Sequence, residues 1–366
     1  MPPALPSLNP IPLPAPVWLL SALLLLTFAL HVVPMTMALG GGFWAIVAAR
    51  RTEDRAFRDL ARRLAEGLPY WTAAAITAGV AALLFLQVLY GPVFYASSVV
   101  IARPWLSIVG LVLAGYYGYY FRAYRLEKNP RAAFWVGVVA WAAFAAVAFL
   151  YVSEMTLMLH PERLHRMYLA DRTGATLGFP EPTLLPRYLH MLVGAVAIAA
   201  LWVAWIGRRI AGEGGRRVLR FGAAGFGAMI ALDAAIGLWF LAALPGGVVR
   251  VFTGGRALPT ACLALSVVAT VVSIWATWSA RGGNAPGLRL AAGGGAAAAV
   301  LVLMVLMRDV VRRETLGEAA RLDAMQVAPQ WPVIGLFAVL LVAGLGTVVW
   351  MVLAARRRNA GDGEVT

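Results

Sequence analysis

Long apolar stretches recur along the whole chain, and they limit its possible folds more than any other feature. Each is roughly 18 residues or longer, the length that an α-helix needs to cross about 30 Å of hydrocarbon. With 61% of its 366 residues hydrophobic and 13% charged, the chain has more apolar surface than one soluble core could bury. The sequence therefore predicts an all-α, polytopic integral membrane helix bundle that forms a single transmembrane domain over residues 1–366. We place about nine transmembrane helices, at 17–48, 70–91, 95–121, 132–157, 186–207, 219–244, 257–279, 288–307 and 330–355.

Basic residues cluster in alternate connections between these helices, which indicates the orientation of the bundle. Twenty of the 31 Lys and Arg residues fall in the segments 50–63, 122–131, 208–220, 281–289 and 356–358. The positive-inside rule places these segments in the cytoplasm, so we predict an outside N-terminus and an inside C-terminus. The proline-rich residues 1–16 then form an outer tail, 158–185 and 308–329 form outer loops, and 356–366 form a cytoplasmic tail. Residues 1–16 contain no Lys or Arg, so we expect a retained first helix rather than a signal peptide.

Charge distribution and cysteine content exclude several classes of protein. The formal charge of +14 does not indicate nucleic-acid binding, because the arginines lie in short clusters between apolar stretches rather than on one face. The single cysteine, Cys262, lies within an apolar stretch, which excludes an internal disulfide, a CxxC zinc site and a CxxCH haem-attachment motif. Any haem would therefore be held non-covalently.

Two histidines within apolar helices are the main candidates for a cofactor site, because polar groups in hydrocarbon are costly and rare. His31 lies in the first helix among small and aliphatic residues, where a neutral imidazole could ligate haem iron or hydrogen-bond to another helix. His190 follows Pro186 and Arg187 at the start of the fifth helix. One helical turn separates Arg187 from His190, so Arg187 could neutralise a haem propionate beside a ligated iron or could anchor the helix at the membrane interface.

Other polar residues leave alternatives open. Asp233 and Glu154 are candidates for proton transfer or for pairing with a buried arginine. His160 and His165 flank Glu162 in an outer loop, but their five-residue spacing and Pro161 do not favour a metal site. Glycine runs such as 40–42 would let helices, or a flat cofactor, approach closely.

The motifs around the two membrane histidines resemble subunit I of the cytochrome bd quinol oxidases. The run from His31 to Gly40 is similar to a histidine followed by Val-Pro-Leu-Thr-Leu-Gly in the family's first helix. The closer match is the stretch 186–190, Pro-Arg-Tyr-Leu-His, which is similar to the family's Pro-Arg-Phe-Leu-His entry into helix five. In that family the helix-five histidine ligates a low-spin b haem. The resemblance therefore implies b-type haem held at His190 and His31, with Arg187 and Arg220 as cofactor-binding residues.

Three departures from the family pattern limit what the resemblance implies. The long outer quinol-binding loop of the family is missing, since the connections around helix six are short. Arg220 matches an arginine that precedes the family's second axial ligand, a methionine, but Gly222 stands at the methionine position and Met229 lies two turns further on. The late glutamate and the Gly-Arg-Trp motif that serve oxygen reduction have no visible counterpart.

These observations predict a function narrower than that of the family. We expect a b-type haem-binding electron-transfer subunit in the bacterial cytoplasmic membrane that is not a complete oxygen reductase. A quinone is a candidate redox partner, beside other membrane or periplasmic electron-transfer subunits. The alternative from a different class is a haem-free membrane scaffold or transporter-like protein that retains the fold, because fold resemblance alone does not decide function.

Overall fold

Helices make up nearly all of the folded chain. The computed structural model describes residues 12–51, 53–176, 180–282 and 285–361, and this part contains no β-strand. The helices are α1 (Val17–Ala48), α2 (Arg55–Val100), α3 (Ala102–Arg125), α4 (Pro130–Leu157), α5 (Pro161–Ala170), α6 (Leu184–Arg208), α7 (Gly212–Ala243), α8 (Gly246–Arg250), α9 (Ala257–Ser279), α10 (Pro286–Leu316) and α11 (Trp331–Gly361). The predicted all-α bundle is confirmed, while residues 1–11 of the predicted outer tail and 362–366 of the cytoplasmic tail lie outside the described residues.

Eight of the described helices are long and apolar enough to cross a membrane, namely α1, α2, α4, α6, α7, α9, α10 and α11. The remaining long helix, α3, has 24 residues and is about 36 Å long, but its arginines and tyrosines lower its hydropathy. Near its start, Arg103 donates its backbone N–H to the carbonyl of Gly174. Near its other end, the Arg122 guanidinium donates to the carbonyl of Ala45, at the C-terminal end of α1. α3 therefore runs the height of the bundle beside the eight apolar helices.

A short pairing near the N-terminus indicates how many times the chain crosses. Leu13 donates its N–H to the carbonyl of Gln326 at 2.8 Å, and Ala328 donates to the carbonyl of Leu13 at 2.9 Å. The segment before α1 and the connection before α11 therefore lie at the same end, which requires an even number of crossings between them. Counting α3 gives eight, and α11 then makes the ninth crossing among the described residues. We call the end that holds Leu13 the outer end, after the predicted orientation, and the opposite end the inner end.

Several helices extend beyond the predicted apolar spans into charged sequence. α2 begins at Arg55 and α7 at Gly212, and their first turns are joined because Arg217 of α7 pairs with Asp54 at 2.8 Å. The Asp54 carboxylate also accepts the N–H of Ala56 as the N-cap of α2, and its hydrogen bonds with Arg217 and Ala56 hold the pKa of Asp54 below its usual value. These contacts provide partners for charged residues at the starts of α2 and α7. Hydropathy alone does not show that these charged segments are helical.

Other predicted helix boundaries were also wrong, including the start of the third helix at 95, since α3 begins at Ala102. The second helix does not end at 91, because α2 continues through Pro92 to Val100 with a kink at Tyr90, where φ is −123° and ψ is 21°. The predicted helix 288–307 does not end at 307, because α10 continues to Leu316. Ion pairs within α10 stabilise this last stretch, since Asp309 accepts from Arg312 and from Arg313, at 2.5 and 2.8 Å.

The centre of the bundle is built on close contact between α1 and α6. A Cβ atom at Gly40 of α1 would lie 2.1 Å from the carbonyl oxygen of Ala195 in α6, so this crossing requires glycine. Trp44, one turn further along α1, donates its indole N–H to the carbonyl of Val196 at 2.8 Å. The glycine run 40–42 therefore serves helix packing, one of the two roles that the sequence left open.

Candidate functional site

His31 lies on α1 and turns toward α2. Its Nδ1 is 2.8 Å from the backbone carbonyl oxygen of Ala75, and the ring packs over Gly79, where a Cβ atom would come within 2.8 Å of it. A carbonyl oxygen can only accept, so Nδ1 carries the proton and a neutral ring has its lone pair on Nε2. No residue that the structure describes hydrogen-bonds to this Nε2.

His190 lies on α6 and turns toward α7 in a similar way. Its Nδ1 is 3.0 Å from the Asp233 carboxylate oxygen Oδ1 and 3.3 Å from the Asp233 carbonyl oxygen. A Cβ atom at Gly237 would lie 3.2 Å from the His190 ring, and one at Gly194 would lie 3.2 Å from the Asp233 carboxylate. The side chain is 34% exposed, and no described residue hydrogen-bonds to its Nε2. Both membrane histidines thus have Nδ1 beside an acceptor and Nε2 without a protein partner.

Arg187, one turn before His190, also faces α7. Its guanidinium carbon lies 5.2 Å from the centre of the Phe240 ring, and Nη1 donates to the Thr156 hydroxyl of α4 at 3.2 Å. Its Nε is buried without a hydrogen-bond partner. No carboxylate of the described chain lies within ion-pair distance of this arginine. Arg187 therefore makes no direct ion pair, although the Glu181 carboxylate lies close by and lines the same small cavity.

Arg308 of α10 brings a second unpaired guanidinium to the same region. It lies over the Phe28 ring of α1, with its guanidinium carbon 4.4 Å from the ring centre. Arg187, Arg312 and His31 all lie in the neighbourhood of this guanidinium. The carboxylate of the next residue, Asp309, is engaged by Arg312 and Arg313. Within the described part of the chain, Arg308 has no carboxylate partner either.

The two membrane histidines occupy separate positions in the bundle. Measured outward from the contact between Gly40 and Ala195, His31 is nine residues along α1, about 13 Å, and His190 is five residues along α6, about 8 Å. They lie at similar heights in the outer half. His31 is held against α2 and His190 against α7, so each ring has its own helix pair.

Arg220 is not brought into this group. It lies near the inner end of α7, where its Nε donates to the carbonyl of Arg281 at 3.4 Å. Gly222, at the family's methionine position, packs against Ala204 at the inner end of α6. His190 instead meets Asp233, which is 13 residues beyond Arg220 on α7, or about 20 Å along the helix. A cofactor role for Arg220 remains a prediction that the geometry of the His190 region does not favour.

Other predicted residues find polar partners of their own. Glu154 is completely buried and accepts from the Ser97 hydroxyl at 2.5 Å, while Oε2 has no hydrogen-bond partner. His160 contacts Glu162 at 3.3 Å and Glu181 at 3.2 Å, and His165 is exposed on α5. No group of three or more His, Cys, Asp or Glu residues suited to a metal ion occurs in the described ranges.

Sequence reasoning missed two parts of this site. Asp233 and Glu154 were considered as partners of buried arginines, but Asp233 pairs with His190 and Glu154 with Ser97. Arg308 was assigned to an outer loop because the apolar stretch ends at 307. The spacing of Asp309, Arg312 and Arg313 at three and four residues is the signal that could have extended the helix.

Comparison with known proteins supports the fold. No protein-family model and no curated protein matches the chain. Among solved structures, the chain is similar to one chain of the bd oxidase from Geobacillus thermodenitrificans, with a TM-score of 0.73 and 15% sequence identity. The match covers 95% of this chain and 100% of that chain. This protein is therefore a helical membrane bundle with a bd-oxidase-like fold, as the sequence resemblance predicted.

Proposed function

We propose that this chain is a b-type haem-binding electron-transfer subunit of a respiratory complex in the bacterial cytoplasmic membrane. It would bind at least one haem, through the Nε2 of His190 or His31, and would exchange electrons with partner subunits or a quinone. The rings lie against different helices, so each is a separate ligand position. Both belong to the stretches of sequence that resemble the bd family.

The observation that carries the proposal is the state of the two imidazoles. A histidine that ligates a metal through one nitrogen nearly always donates the other N–H to a carbonyl or carboxylate. His31 and His190 each have Nδ1 beside such an acceptor, and no described residue hydrogen-bonds to either Nε2. The glycines beneath them, Gly79 and Gly237, allow the rings to lie flat against the neighbouring helices.

The unpaired arginines add the charge that an anionic cofactor would require. Arg187 and Arg308 lie in the same outer region, and neither makes an ion pair with a carboxylate in the described chain, although Glu181 lies near Arg187 and Asp309 follows Arg308. Bringing two such cations together within a membrane protein is costly unless an anion joins them. The propionates of a b haem are carboxylates, and guanidinium groups bind carboxylates with charge-assisted hydrogen bonds. Arg187 and Arg308 are therefore the residues that we assign to them.

These contacts indicate which roles belong to the cofactor and which belong to residues of the chain. Haem supplies one-electron redox chemistry when it is bound. His190 and His31 orient the ligating nitrogen, Arg187 and Arg308 set the local charge, and the apolar helices limit access of water. A haem-free scaffold or transporter-like protein with the same fold is the alternative that the experiment must separate.

The test is a reduced-minus-oxidised spectrum of the purified protein and of His190→Ala and His31→Ala variants. We expect a b-type spectrum in the wild type and loss of part or all of it in at least one variant. His165→Ala, which alters an exposed outer-loop histidine, is the matched control and should leave the spectrum unchanged. Haem bound equally by all four proteins would show that neither histidine is a ligand.

A further inference from the structure

We propose that Asp233 is a positioning residue for His190, holding its Nδ1 so that Nε2 is a strong electron donor to the iron. This inference rests on the proposed function and names a residue with no assigned part in it. The Asp233 side chain reaches the ring from α7, 43 residues along the chain from His190, with Oδ1 at 3.0 Å from Nδ1.

Asp233 presents two acceptors to the same nitrogen. Its carbonyl oxygen lies 3.3 Å away with good hydrogen-bond direction, but it also belongs to the helical hydrogen bonding of α7. The carboxylate oxygen Oδ1 is closer to Nδ1, at 3.0 Å, and is buried without a hydrogen-bond partner, because the hydrogen-bond direction of Nδ1 favours the carbonyl. An unsatisfied carboxylate oxygen beside an N–H is the stronger acceptor of the two. The carboxylate therefore adds an acceptor 3.0 Å from Nδ1, beside the carbonyl at 3.3 Å, and a small rotation of the ring would direct the N–H at it.

The surroundings leave room for this contact. Gly194 lies one turn after His190 on α6, and a Cβ atom there would come within 3.2 Å of the Asp233 carboxylate oxygen Oδ2. Gly237, one turn after Asp233 on α7, leaves similar room beside the ring. Asp233 has no arginine partner in the described chain, and His190 is the group with which it forms an ion-pair contact. Its charge is thus directed at the imidazole.

The two histidines differ in the charge of their acceptors. Nδ1 of His31 has a neutral backbone carbonyl beside it, whereas Nδ1 of His190 has a carboxylate oxygen at 3.0 Å in addition to a backbone carbonyl. A carboxylate acceptor raises the basicity of a ligating imidazole and fixes its orientation. A more basic ligating imidazole would stabilise oxidised over reduced iron. Asp233 therefore lowers the midpoint potential of haem held at His190, an effect that the carbonyl at His31 does not provide.

The experiment measures the midpoint potential of the purified holoprotein with Asp233→Asn, which keeps the shape of the side chain and removes its charge. Asp233→Asn is made both in the wild type and in the His31→Ala variant, and each product is compared with its parent. In the His31→Ala variant, haem at His190 is observed alone. We expect Asp233→Asn to retain haem with a more positive midpoint potential. Asp233→Ala should bind haem about tenfold to a hundredfold more weakly. Asp54→Asn removes the same charge at the inner end and is the matched control, with an unchanged potential expected.

The outcomes separate this inference from the function on which it rests. An Asp233→Asn protein with bound haem and an unchanged potential overturns the role of Asp233 and leaves haem binding intact. An equal shift in Asp54→Asn also overturns it, because the effect would then be one of total charge. Absence of haem from the wild type overturns both proposals. Haem that persists in wild type but disappears from the His31→Ala background places the cofactor at His31 and refutes the inference.

Discussion

At the residue scale, Gly237 is a position where one methyl group should alter the site. Its added Cβ would lie 3.2 Å from the His190 ring, which is tighter than ordinary van der Waals contact. We expect Gly237→Ala to displace the ring and to lower haem content or shift its spectrum. Gly227→Ala is the matched control on the same helix, because a Cβ there meets no atom within 4 Å. Equal spectra for both variants would contradict the assigned contact.

The residues of the site differ in how far sequence could predict them. Arg187 and His190 are one turn apart on one helix, so their common direction follows from helical periodicity. The pairing of His190 with Asp233 joins two helices, and no pattern within either helix specifies its partner. Arg308 was missed for a different reason. Its charged neighbours Asp309, Arg312 and Arg313 lower the hydropathy of the segment, which therefore resembles a loop. In the structure the same three residues form ion pairs that stabilise a helix.

At the element scale, the contact of α1 with α6 requires close approach of two helix backbones. A Cβ at Gly40 would lie 2.1 Å from a backbone oxygen, so the helices must move apart to admit alanine. Overpacking of this kind typically costs about 1–3 kcal/mol. We therefore expect Gly40→Ala to lower the melting temperature in detergent.

Gly294→Ala on α10 provides the control for that change, because a Cβ there meets no atom within 4 Å. It should leave the melting temperature unchanged or raise it slightly, since alanine favours helices. A Gly40→Ala protein as stable as wild type would mean that α1 and α6 are further apart than described.

Element boundaries were less predictable than the elements themselves. Apolar length correctly indicated the eight helices that are long and apolar enough to cross a membrane, because the membrane sets a minimum span. It could not show that α2 passes through Pro92 with a kink at Tyr90, or that Asp54 and Arg217 join the charged starts of α2 and α7. Those features depend on contacts between helices.

At the scale of the whole molecule, the number of crossings and the positive-inside rule predict a cytoplasmic C-terminus. Among the described residues, the eight apolar helices together with α3 place Leu13 and the end of α11 on opposite sides, and the basic clusters predict that the end of α11 lies inside. A C-terminal reporter that is active only in the cytoplasm should therefore be active. A reporter active only in the periplasm would require an inverted bundle or a different number of crossings.

The connections and packing of the whole bundle also affect whether the protein can reduce oxygen with a quinol. The connection between α7 and α9 spans only residues 244–256, which leaves no long quinol-binding loop there. The methionine position of the family holds Gly222, which packs at the inner end of α6 rather than near His190. We expect purified protein with a reduced short-chain quinol to consume oxygen far more slowly than an oxidase. Fast uptake that His190→Ala or His31→Ala abolishes would contradict this prediction.

The amount of haem b per chain tests the central claim most directly. A pyridine haemochrome assay on wild-type protein, purified from a native host that is sufficient in haem, measures it without assuming a donor or an acceptor. The account predicts at least one haem b per folded chain, held by His190 or His31. Folded protein with no haem would contradict it, and would leave the bd-oxidase-like bundle as a scaffold or transporter.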